Sequence, residues 1–454
     1  MHSLQRIPTH VLTFIFAGLL MLLLASCGTK WDLPTTGNSD DNTFGAGDTT
    51  YIRISPDWSD ANGYAFSHPR DVIVGRDGYI FVTNHLPPGI QVLNGAGSVM
   101  TTDAYGNDFT PLSELSRTPY AISQDSRLNL FITDSTNQVW VWNQYAQIVG
   151  IKALITAIQF DTDGWVSDLD SLADIFTAYG TATGQHMDSI VTTTTGLDEW
   201  LGVRPFWDGN STADSLNAAH YYLGADTTRF VSVTAGPDGS DFCYVADAAS
   251  DAILRMSYHR AALALTHEDQ LLFLYRGKIS ARTASHGTGN GTVNDPKGMT
   301  VDAEGGLYYA QWGEIFGVHK IGGSSVFDLG VNPIMDLNRF ARPSDVAVDA
   351  VGNIYVADTD HHQIQQFTRN GNFGYYVGVS KVRIDTTLID SALSDTGWVY
   401  TEIDTIVEKY SADILNQPRG VAVDANGVVY IADTGNDRIM RFKLSTDFDY
   451  DQPE

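Results

Sequence analysis

A stretch of eleven residues occurs twice near the end of this chain in almost the same form. Residues 429–439 read "VYIADTGNDRI", and residues 354–364 read "IYVADTDHHQI". A repeat of this size predicts a fold in which one supersecondary unit is stacked several times, because a single unit buries too little apolar surface to be stable alone. The chain has 454 residues, which leaves room for further copies.

Six copies of the unit align when a proline is taken as position zero. Five copies begin at this proline and the most divergent one begins at a serine: Pro69, Pro119, Pro296, Pro343, Pro418 and Ser232. Before the fifteenth position, every copy has an apolar, an aromatic, an apolar and a small residue. These runs are 80–83, 130–133, 243–246, 307–310, 354–357 and 429–432. Cys243 takes a place that Ile, Leu or Val fills elsewhere, so we expect a small core hydrophobe.

Each copy has the pattern of a small antiparallel sheet. Runs such as "GVAVD" and "VVYIAD" are typical of strands covered on both faces, and "DANG" between them predicts a tight hairpin. A third strand ("RIMRF") and a fourth ("YYVGV", "LLFLY") follow. The acidic residue that ends the second strand is predicted to cap the following turn through its carboxylate. These residues are Asp134, Asp247, Asp358 and Asp433.

Six four-stranded sheets around one axis predict an all-β, six-bladed β-propeller. The last copy is followed by a poor fourth strand, whereas "TYIRIS" (Thr50–Ser55) precedes the first copy. We therefore expect this N-terminal strand to complete the last blade and close the ring, because closure removes an exposed edge.

The units resemble the NHL repeat family, best at residues 343–367 and 418–442, and more weakly over most of residues 50–445. The resemblance implies the propeller fold. It leaves the activity open, because propellers have many unrelated functions.

The first 26 residues resemble the signal peptide of a bacterial lipoprotein. The apolar run Val11–Ala25 is short for a membrane span, and "LLASC" ends at Cys27 as a lipobox does. The resemblance implies cleavage before Cys27 and a lipid on its sulfur; an ordinary signal peptide with an incidental cysteine is the alternative. Under bacterial sorting rules, Gly28 favours the outer membrane over the inner one. Residues 27–49 are then a flexible tether, and residues 50–454 are the propeller.

Two gaps between copies are too long for a blade alone. Residues 151–227, an insertion between blades 2 and 3, include a helical pattern at Ser171–Gly180 and several aromatic residues. Residues 379–415 separate the last two copies. Long segments of this kind are often binding loops, and the alternative is that they only extend the rim of the ring.

The net charge of −27 argues against nucleic acid as a partner, because binding to phosphates depends on Lys and Arg. We expect no cofactor and no metal. His85, His361 and His362 are interpreted as solvated loop residues, and "DTDG" (161–164) as an Asx turn rather than a calcium loop. The peptidyl-α-hydroxyglycine lyases, six-bladed enzymes, place zinc-binding histidines directly after the repeat proline. That position holds Arg70, Tyr120, Val233, Lys297, Ser344 and Arg419, so their metal centre is not predicted.

The same position supplies the candidate ligand-binding residues. Arg70, Lys297 and Arg419 are predicted to lie around one mouth of the central channel, where cations in an acidic protein would receive an anion. We favour instead a structural pairing of these cations with Asp71 and Asp345 at the next position.

No catalytic motif is recognised in the chain, so the preferred function is binding. We expect a lipid-anchored propeller that acts as a binding or interaction scaffold at the bacterial cell envelope. Its contact with the membrane would be the lipid alone, and its ligand an unidentified protein, peptide or glycan. The alternative is a propeller enzyme, a lactonase-type hydrolase or an amidating lyase, with its site in the central channel.

Overall fold

The chain divides into two compact units in the computed structural model. One consists of Thr49–Lys381 and Tyr410–Glu454, and the other of Met1–Asp48 and Val382–Lys409. The structure describes residues 50–103, 108–144, 189–190, 202–211, 228–265, 271–289, 291–313, 317–323, 327–378, 380–394, 397–411 and 415–445. None of the helices in these ranges has the length and apolar character that crossing a membrane requires.

The first unit is a ring of six antiparallel blades. Blade 1 has the strands β2 (Val72–Val74), β3 (Ile80–Asn84) and β4 (Gly89–Leu93). Blade 2 has β5 (Ala121–Gln124), β6 (Asn129–Thr133), β7 (Gln138–Asn143) and β9 (Arg204–Asp208). Blade 3 has β10 (Phe230–Ala235), β11 (Phe242–Asp247), β12 (Ala252–Leu265) and β13 (Leu271–Ala284), and the short β8 (Ser189–Ile190) pairs with β12.

The second half of the ring repeats the pattern. Blade 4 has β14 (Pro296–Val301), β15 (Leu307–Gln311) and β16 (Val318–Ile321). Blade 5 has β17 (Pro343–Val348), β18 (Ile354–Asp358), β19 (Gln363–Phe367) and β20 (Phe373–Val377). Blade 6 has β23 (Gly420–Val423), β24 (Val429–Asp433), β25 (Arg438–Leu444) and β1 (Tyr51–Trp58). Short helical turns are Asp60–Asn62, Thr110–Ser113, Pro333–Met335, Thr359–His361 and Thr434–Asn436.

The ring closes through the N-terminal strand, as the sequence predicts. β1 pairs antiparallel with β25, with Tyr51 opposite Leu444 and Arg53 opposite Phe442. The innermost strands contact one another in the order β2, β5, β10, β14, β17, β23, and β23 contacts β2. This closed order confirms a six-bladed propeller around a central channel.

Apolar side chains fill every joint between neighbouring blades in the described residues. The aromatic residue of the repeat is buried in five blades, at Phe81, Phe131, Tyr308, Tyr355 and Tyr430. Burial of one such side chain stabilises the fold by about 2–3 kcal/mol. Cys243 is fully buried in the joint between blades 2 and 3, which confirms its prediction as a core residue.

The first aspartate of the repeat has a structural role in the hairpin. Its carboxylate accepts backbone N–H groups of the turn, as Asp349 Oδ1 does from Val351 (3.0 Å) and Asn353 (2.7 Å). The other oxygen accepts the hydroxyl of the buried tyrosine six residues later. The pairs are Tyr308–Asp302 (3.1 Å), Tyr355–Asp349 (3.3 Å) and Tyr430–Asp424 (3.2 Å).

The second acidic residue of the repeat caps the following turn in only part of the ring. Asp134 accepts the N–H of Thr136 (3.1 Å), and Asp247 accepts the N–H of Ala249 (3.0 Å). Asp247 also accepts the N–H of Arg229 (2.7 Å), just before the first strand of its blade. Among the described residues, Asp358 and Asp433 accept backbone N–H groups only from the corresponding segment of their own blades. These bonds come from Ala341 (2.6 Å) and Asn416 (2.6 Å). The difference arises because a 3-10 turn follows both residues and closes its own N–H bonds.

The alignment of the third copy on Ser232 is wrong by two residues. Phe230 pairs with Asp247, as Pro343 pairs with Asp358, and Ser232 pairs with Ala246 as Asp345 pairs with Ala357. Position zero of blade 3 is therefore Phe230. The hairpin of this blade, "GPDGSD" (236–241), is longer than those of the other blades. Asp247 therefore stands at the expected offset from Ser232, although Ser232 is not position zero.

Each long insertion contains strands. In residues 151–227, Arg204–Asp208 is the outer strand of blade 2, and its Phe206 and Trp207 are buried, each 1% exposed. These two aromatic residues are therefore core residues rather than part of a binding loop. The helical pattern at Ser171–Gly180 lies outside the described residues. In residues 379–415, β21 (Ser380–Ser394) and β22 (Gly397–Ser411) form an antiparallel two-stranded sheet.

Candidate functional site: the cationic channel mouth

One end of the channel opens where the innermost strands begin. The residues directly after position zero in all six blades line one cavity of about 260 Å³ there. They are Arg70, Tyr120, Val231, Lys297, Ser344 and Arg419. Val231 takes the place that the sequence alignment gave to Val233, because blade 3 begins two residues earlier. We call this cavity the channel mouth.

The structure brings Arg70, Lys297 and Arg419 together with a fourth cation, Arg229. The guanidinium carbon of Arg70 lies 4.1 Å from the ring centre of Tyr120. Lys297 Nζ lies 4.3 Å from the ring centre of Trp312 and 2.5 Å from a carboxylate oxygen of Asp295. Within the described part of the chain, neither Arg70 nor Arg419 forms an ion pair, and Arg419 Nε is buried without a hydrogen-bond partner.

The pKa values show that these cations repel one another. Burial, and then the nearby charges of Arg70 and Arg342, lower the pKa of Arg419. Burial and the charges of Arg229 and Arg342 lower the pKa of Lys297, although Asp295 acts in the opposite direction. The mouth therefore concentrates positive charge in a chain of net charge −27.

Asp71 and Asp345 do not pair with these cations, contrary to the pairing that the sequence favoured. Asp71 Oδ2 accepts the N–H of Ile122 in blade 2 (2.7 Å), and Asp345 Oδ2 accepts the N–H of Val421 in blade 6 (2.9 Å). Each carboxyl group thus joins its blade to the next one. The cations and the carboxyl groups therefore have separate partners.

Asp71 is buried and Asp345 is half-buried, and both have a raised pKa. Burial raises the pKa of Asp71 to about 7, against the opposing hydrogen bonds from Ile122 and Val72. Burial and the charge of Asp71 hold the pKa of Asp345 well above its usual range. Both groups line the channel mouth and also the cavity of about 520 Å³ beneath it, so they form the floor of the mouth.

Glycines in the neighbouring blades make room for the two carboxyl groups. A Cβ atom on Gly298 would lie 2.1 Å from Asp345 Oδ1, and one on Gly420 would lie 2.7 Å from the Cα of Asp71. Gly298 and Gly420 stand at the same repeat position as Asp345 and Asp71. The floor therefore requires glycine at this position on both sides of Asp345, in blades 4 and 6.

A groove of about 470 Å³ continues from the mouth across the joint of blades 6 and 1. It shares Arg70 and Arg419 with the mouth and adds His68 and His85. The two imidazole ring centres are 6.1 Å apart. Burial, and then the charges of Arg70 and His68, lower the pKa of His85, so the groove disfavours further positive charge.

The other candidate residues from the sequence do not come together in a common site in the described part of the chain. His361 Nδ1 lies 2.7 Å from Asp358 Oδ2, and His362 Nδ1 accepts the N–H of Gln417 (3.0 Å). Over the described ranges, no three His, Cys, Asp or Glu side chains are placed to share a metal ion. Cys27 and the "DTDG" turn at 161–164 lie outside the described residues.

Sequence reasoning missed Arg229 and Trp312 as residues of the mouth. Arg229 precedes the true start of blade 3 and was hidden by the two-residue error in alignment. Trp312 follows the last residue of β15 and packs between Lys297 and Arg342. The guanidinium carbon of Arg342 lies 4.0 Å from the centre of its ring. Arg342 precedes Pro343 as Arg229 precedes Phe230, and this shared position was the available signal.

The sequence model of the NHL repeat family matches residues 340–367 and 415–442, in blades 5 and 6. The chain thus contains NHL repeats within a six-bladed propeller. It is 29% identical to Protein brain tumor of Drosophila melanogaster over 167 residues, which are 33% of this chain and 14% of that protein. It is 27% identical to the B-box type zinc finger protein ncl-1 of Caenorhabditis elegans over 169 residues, 34% of this chain and 18% of that protein. The chain therefore spans a small part of either relative's length.

Among solved structures, the chain is similar to a catalytically inactive virginiamycin B lyase from Staphylococcus aureus with quinupristin. The sequence identity is 12% and the TM-score is 0.40, over 87% of this chain and all of the lyase chain. At this identity the likeness concerns the fold and not the activity.

Proposed function

We propose that this protein is a lipid-anchored propeller that binds an anionic ligand at the channel mouth and acts as a binding scaffold at the bacterial cell envelope. The observation that carries the proposal is the convergence of four cations on one cavity. The chain has 27 Lys and Arg against 54 Asp and Glu, and Arg70, Arg229, Lys297 and Arg419 nevertheless line the same 260 Å³.

The electrostatics of the mouth favour an anion. Burial lowers the pKa of Lys297 and of Arg419, and repulsion by neighbouring arginines lowers it further. An oxyanion between them would relieve this repulsion and would accept hydrogen bonds from the guanidinium groups. Arginine suits carboxylate, sulfate and phosphate because its planar donors match two oxygens at once. A ligand group that fills the mouth is small, and the groove beyond it accommodates the rest of a larger ligand.

The location at the envelope rests on the N-terminal sequence. Cys27 follows an apolar run and small residues in the order of a lipobox, and Gly28 favours sorting to the outer membrane. Labelling of the expressed chain with a palmitate analogue tests the anchor, with Cys27→Ala as the control. Label that survives this substitution would exclude Cys27 as the attachment site.

A second candidate function is acid–base catalysis on the bound anion. It is favoured by one observation, that Asp71 has a pKa of about 7 and lies at the floor of a site that would hold a substrate. Turnover of a bound compound that Asp71→Asn abolishes, with binding retained, would establish the enzyme. Stoichiometric calcium or zinc that is lost on substitution at the mouth would favour it as well.

The binding function is tested by calorimetric titration of the purified full-length chain with sulfate, the simplest oxyanion. Arg419→Gln removes a cation without a carboxylate partner, and we expect sulfate to bind at least about tenfold more weakly, as for loss of a charged hydrogen bond. Arg369→Gln is the matched control, because Arg369 is exposed and pairs with Glu304. It should change the affinity by less than about twofold. Equal affinity in all three proteins, or absence of sulfate binding to the unaltered chain, would refute the proposal.

A further inference from the structure

The floor of the mouth has hydrogen-bonding capacity that the blade contacts do not use. Asp71 and Asp345 each give one oxygen, Oδ2, to a backbone N–H of the next blade. Each group also accepts the N–H of the residue that follows it, Val72 or Val346, and Asp345 Oδ1 lies beside Gly298. A carboxyl group has about four acceptor positions, so each of the two keeps capacity for a further hydrogen bond where it lines the mouth and the channel beneath it.

The charged and titratable groups around this floor come from all six blades. They are Arg70 beside Asp71, Tyr120 from blade 2, Arg229 from blade 3, Lys297 from blade 4, Asp345 from blade 5 and Arg419 from blade 6. Two ionised carboxylates would neutralise half of the positive charge that these four cations bring. They would also repel an anion from below, at a short distance and in a site of low dielectric.

We propose that the ligand binds together with a proton, which the Asp71–Asp345 pair carries as a hydrogen-bond donor to the anion. This inference rests on the proposed anion binding and adds the chemical selectivity of the site. The ligand is an oxyanion with at least two acceptor oxygens. One accepts hydrogen bonds from the guanidinium groups and another accepts one from the carboxylic acid. No bond other than O–H is made or broken, and the proton comes from solvent.

The ionisation behaviour of the floor agrees with this geometry. Because the pKa of Asp71 is raised to about 7, the group is partly protonated near neutral pH before any ligand arrives. An anion bound above Asp71 favours its neutral form further. Binding is therefore accompanied by uptake of a proton in the fraction of molecules in which Asp71 is still ionised. Below about pH 6 the acid is already protonated, and the uptake should vanish. Above pH 7 the affinity should fall, by at most about tenfold per pH unit for one linked proton.

Sulfate is the suitable probe, because it stays a dianion throughout this pH range. Titrations at pH 7.5 in two buffers of different ionisation enthalpy give the number of protons taken up per sulfate. We expect a value between about 0.5 and 1, falling towards zero at pH 5.5. In Asp71→Asn/Asp345→Asn the amide oxygens can still accept the N–H groups of Ile122 and Val421, so the blades should remain joined. This variant should bind sulfate with uptake near zero and with little dependence on pH.

The two histidines of the groove are the competing source of a proton, since His68 and His85 also lie near Arg70. The variant His68→Gln/His85→Gln should keep the uptake at pH 7.5. Sulfate binding without proton uptake in the unaltered chain, or uptake lost with the histidines and kept without the carboxyl groups, overturns this inference and leaves anion binding intact. Failure of sulfate to bind at all refutes both. If the double aspartate variant does not fold, the histidine variant still decides the matter: proton uptake that it retains supports the inference, and uptake that it loses overturns it.

Discussion

The two ends of the channel are built from the same six strands and differ in how their charges are used. At the hairpin end, Asp302, Asp349 and Asp424 recur at one repeat position, and each is satisfied by its own turn and by a tyrosine hydroxyl. At the mouth, the cations occur in some blades only, and Arg70 and Arg419 have no ion pair among the described residues. A charge that recurs at one repeat position in several blades therefore stabilises the unit, whereas charges that depart from the repeat mark the candidate site.

The largest effect is expected where a recurring carboxylate is removed. Asp433 is fully buried and accepts the N–H of Asn416 (2.6 Å) and a bond from Arg438 Nε (2.7 Å). Asp433→Ala should lower the free energy of unfolding by about 3–5 kcal/mol, because it leaves buried donors without an acceptor. Urea denaturation measures this change. Asp241→Ala, at an exposed ion pair with Arg127, is the control and should cost less than about 1 kcal/mol. Similar losses in both variants would contradict the structural role of the recurring carboxylates.

The next effect concerns the floor of the mouth and depends on pH. The folded-state pKa of Asp71 is about 7, above the usual 3.8, so the stability that its protonation gives is fully present below pH 3.8 and is lost as the pH rises through about 7. Asp71→Asn should thus stabilise the chain relative to the unaltered protein more at pH 8.5 than at pH 5. The difference in unfolding free energy between the two pH values should be at most about 3 kcal/mol, which corresponds to the two pH units between pH 5 and the folded-state pKa of about 7. Denaturant titrations at both pH values give it, and a difference of zero would show that Asp71 ionises normally.

A smaller loss is expected when the close approach of Gly298 to Asp345 is blocked. In Gly298→Ala the new Cβ would meet Asp345 Oδ1 at 2.1 Å and its Cα at 2.5 Å. The clash should cost about 1–3 kcal/mol and displace the carboxyl group from the floor. Gly95→Ala is the matched control, because a Cβ there has no heavy atom within 4 Å. If thermal unfolding shifts equally for both variants, the close approach at Gly298 has no energetic consequence.

The smallest effect on stability should come from the cations of the mouth. Because burial and then its like-charged neighbours lower the pKa of Arg419, Arg419→Gln should stabilise the protein without ligand by up to about 1 kcal/mol at low ionic strength. Salt at about 1 M should remove most of the gain, since it screens exposed charges. Denaturation at two salt concentrations tests this. A loss of stability at low salt would mean that Arg419 serves the fold and not a ligand.

Local patterns were sufficient to predict most of the ring. The runs at 354–357 and 429–432 lie in the buried strands that the repeat predicts, and the strand from Tyr51 completes blade 6. The register of blade 3 was wrong because its longer hairpin let Ser232 imitate the offset of the other copies. The outer strand Arg204–Asp208 was missed because it lies about 60 residues after its partner β7, where no repeat spacing indicates it.

The sequence by itself determined the unit and the number of blades, because each depends on hydrogen bonds and apolar contacts within a few tens of residues. It also predicted the closure, although β1 and β25 lie far apart in the chain, because the last copy lacks a good fourth strand that the segment from Thr50 can supply. It also predicted that Arg70, Lys297 and Arg419 share one position. Only the tertiary structure decided that Arg229 joins them and that Asp71 and Asp345 bind backbone N–H groups of the next blade instead of the cations. These outcomes depend on the curvature of the ring, which places residues from six distant segments around one cavity and buries two of their carboxyl groups.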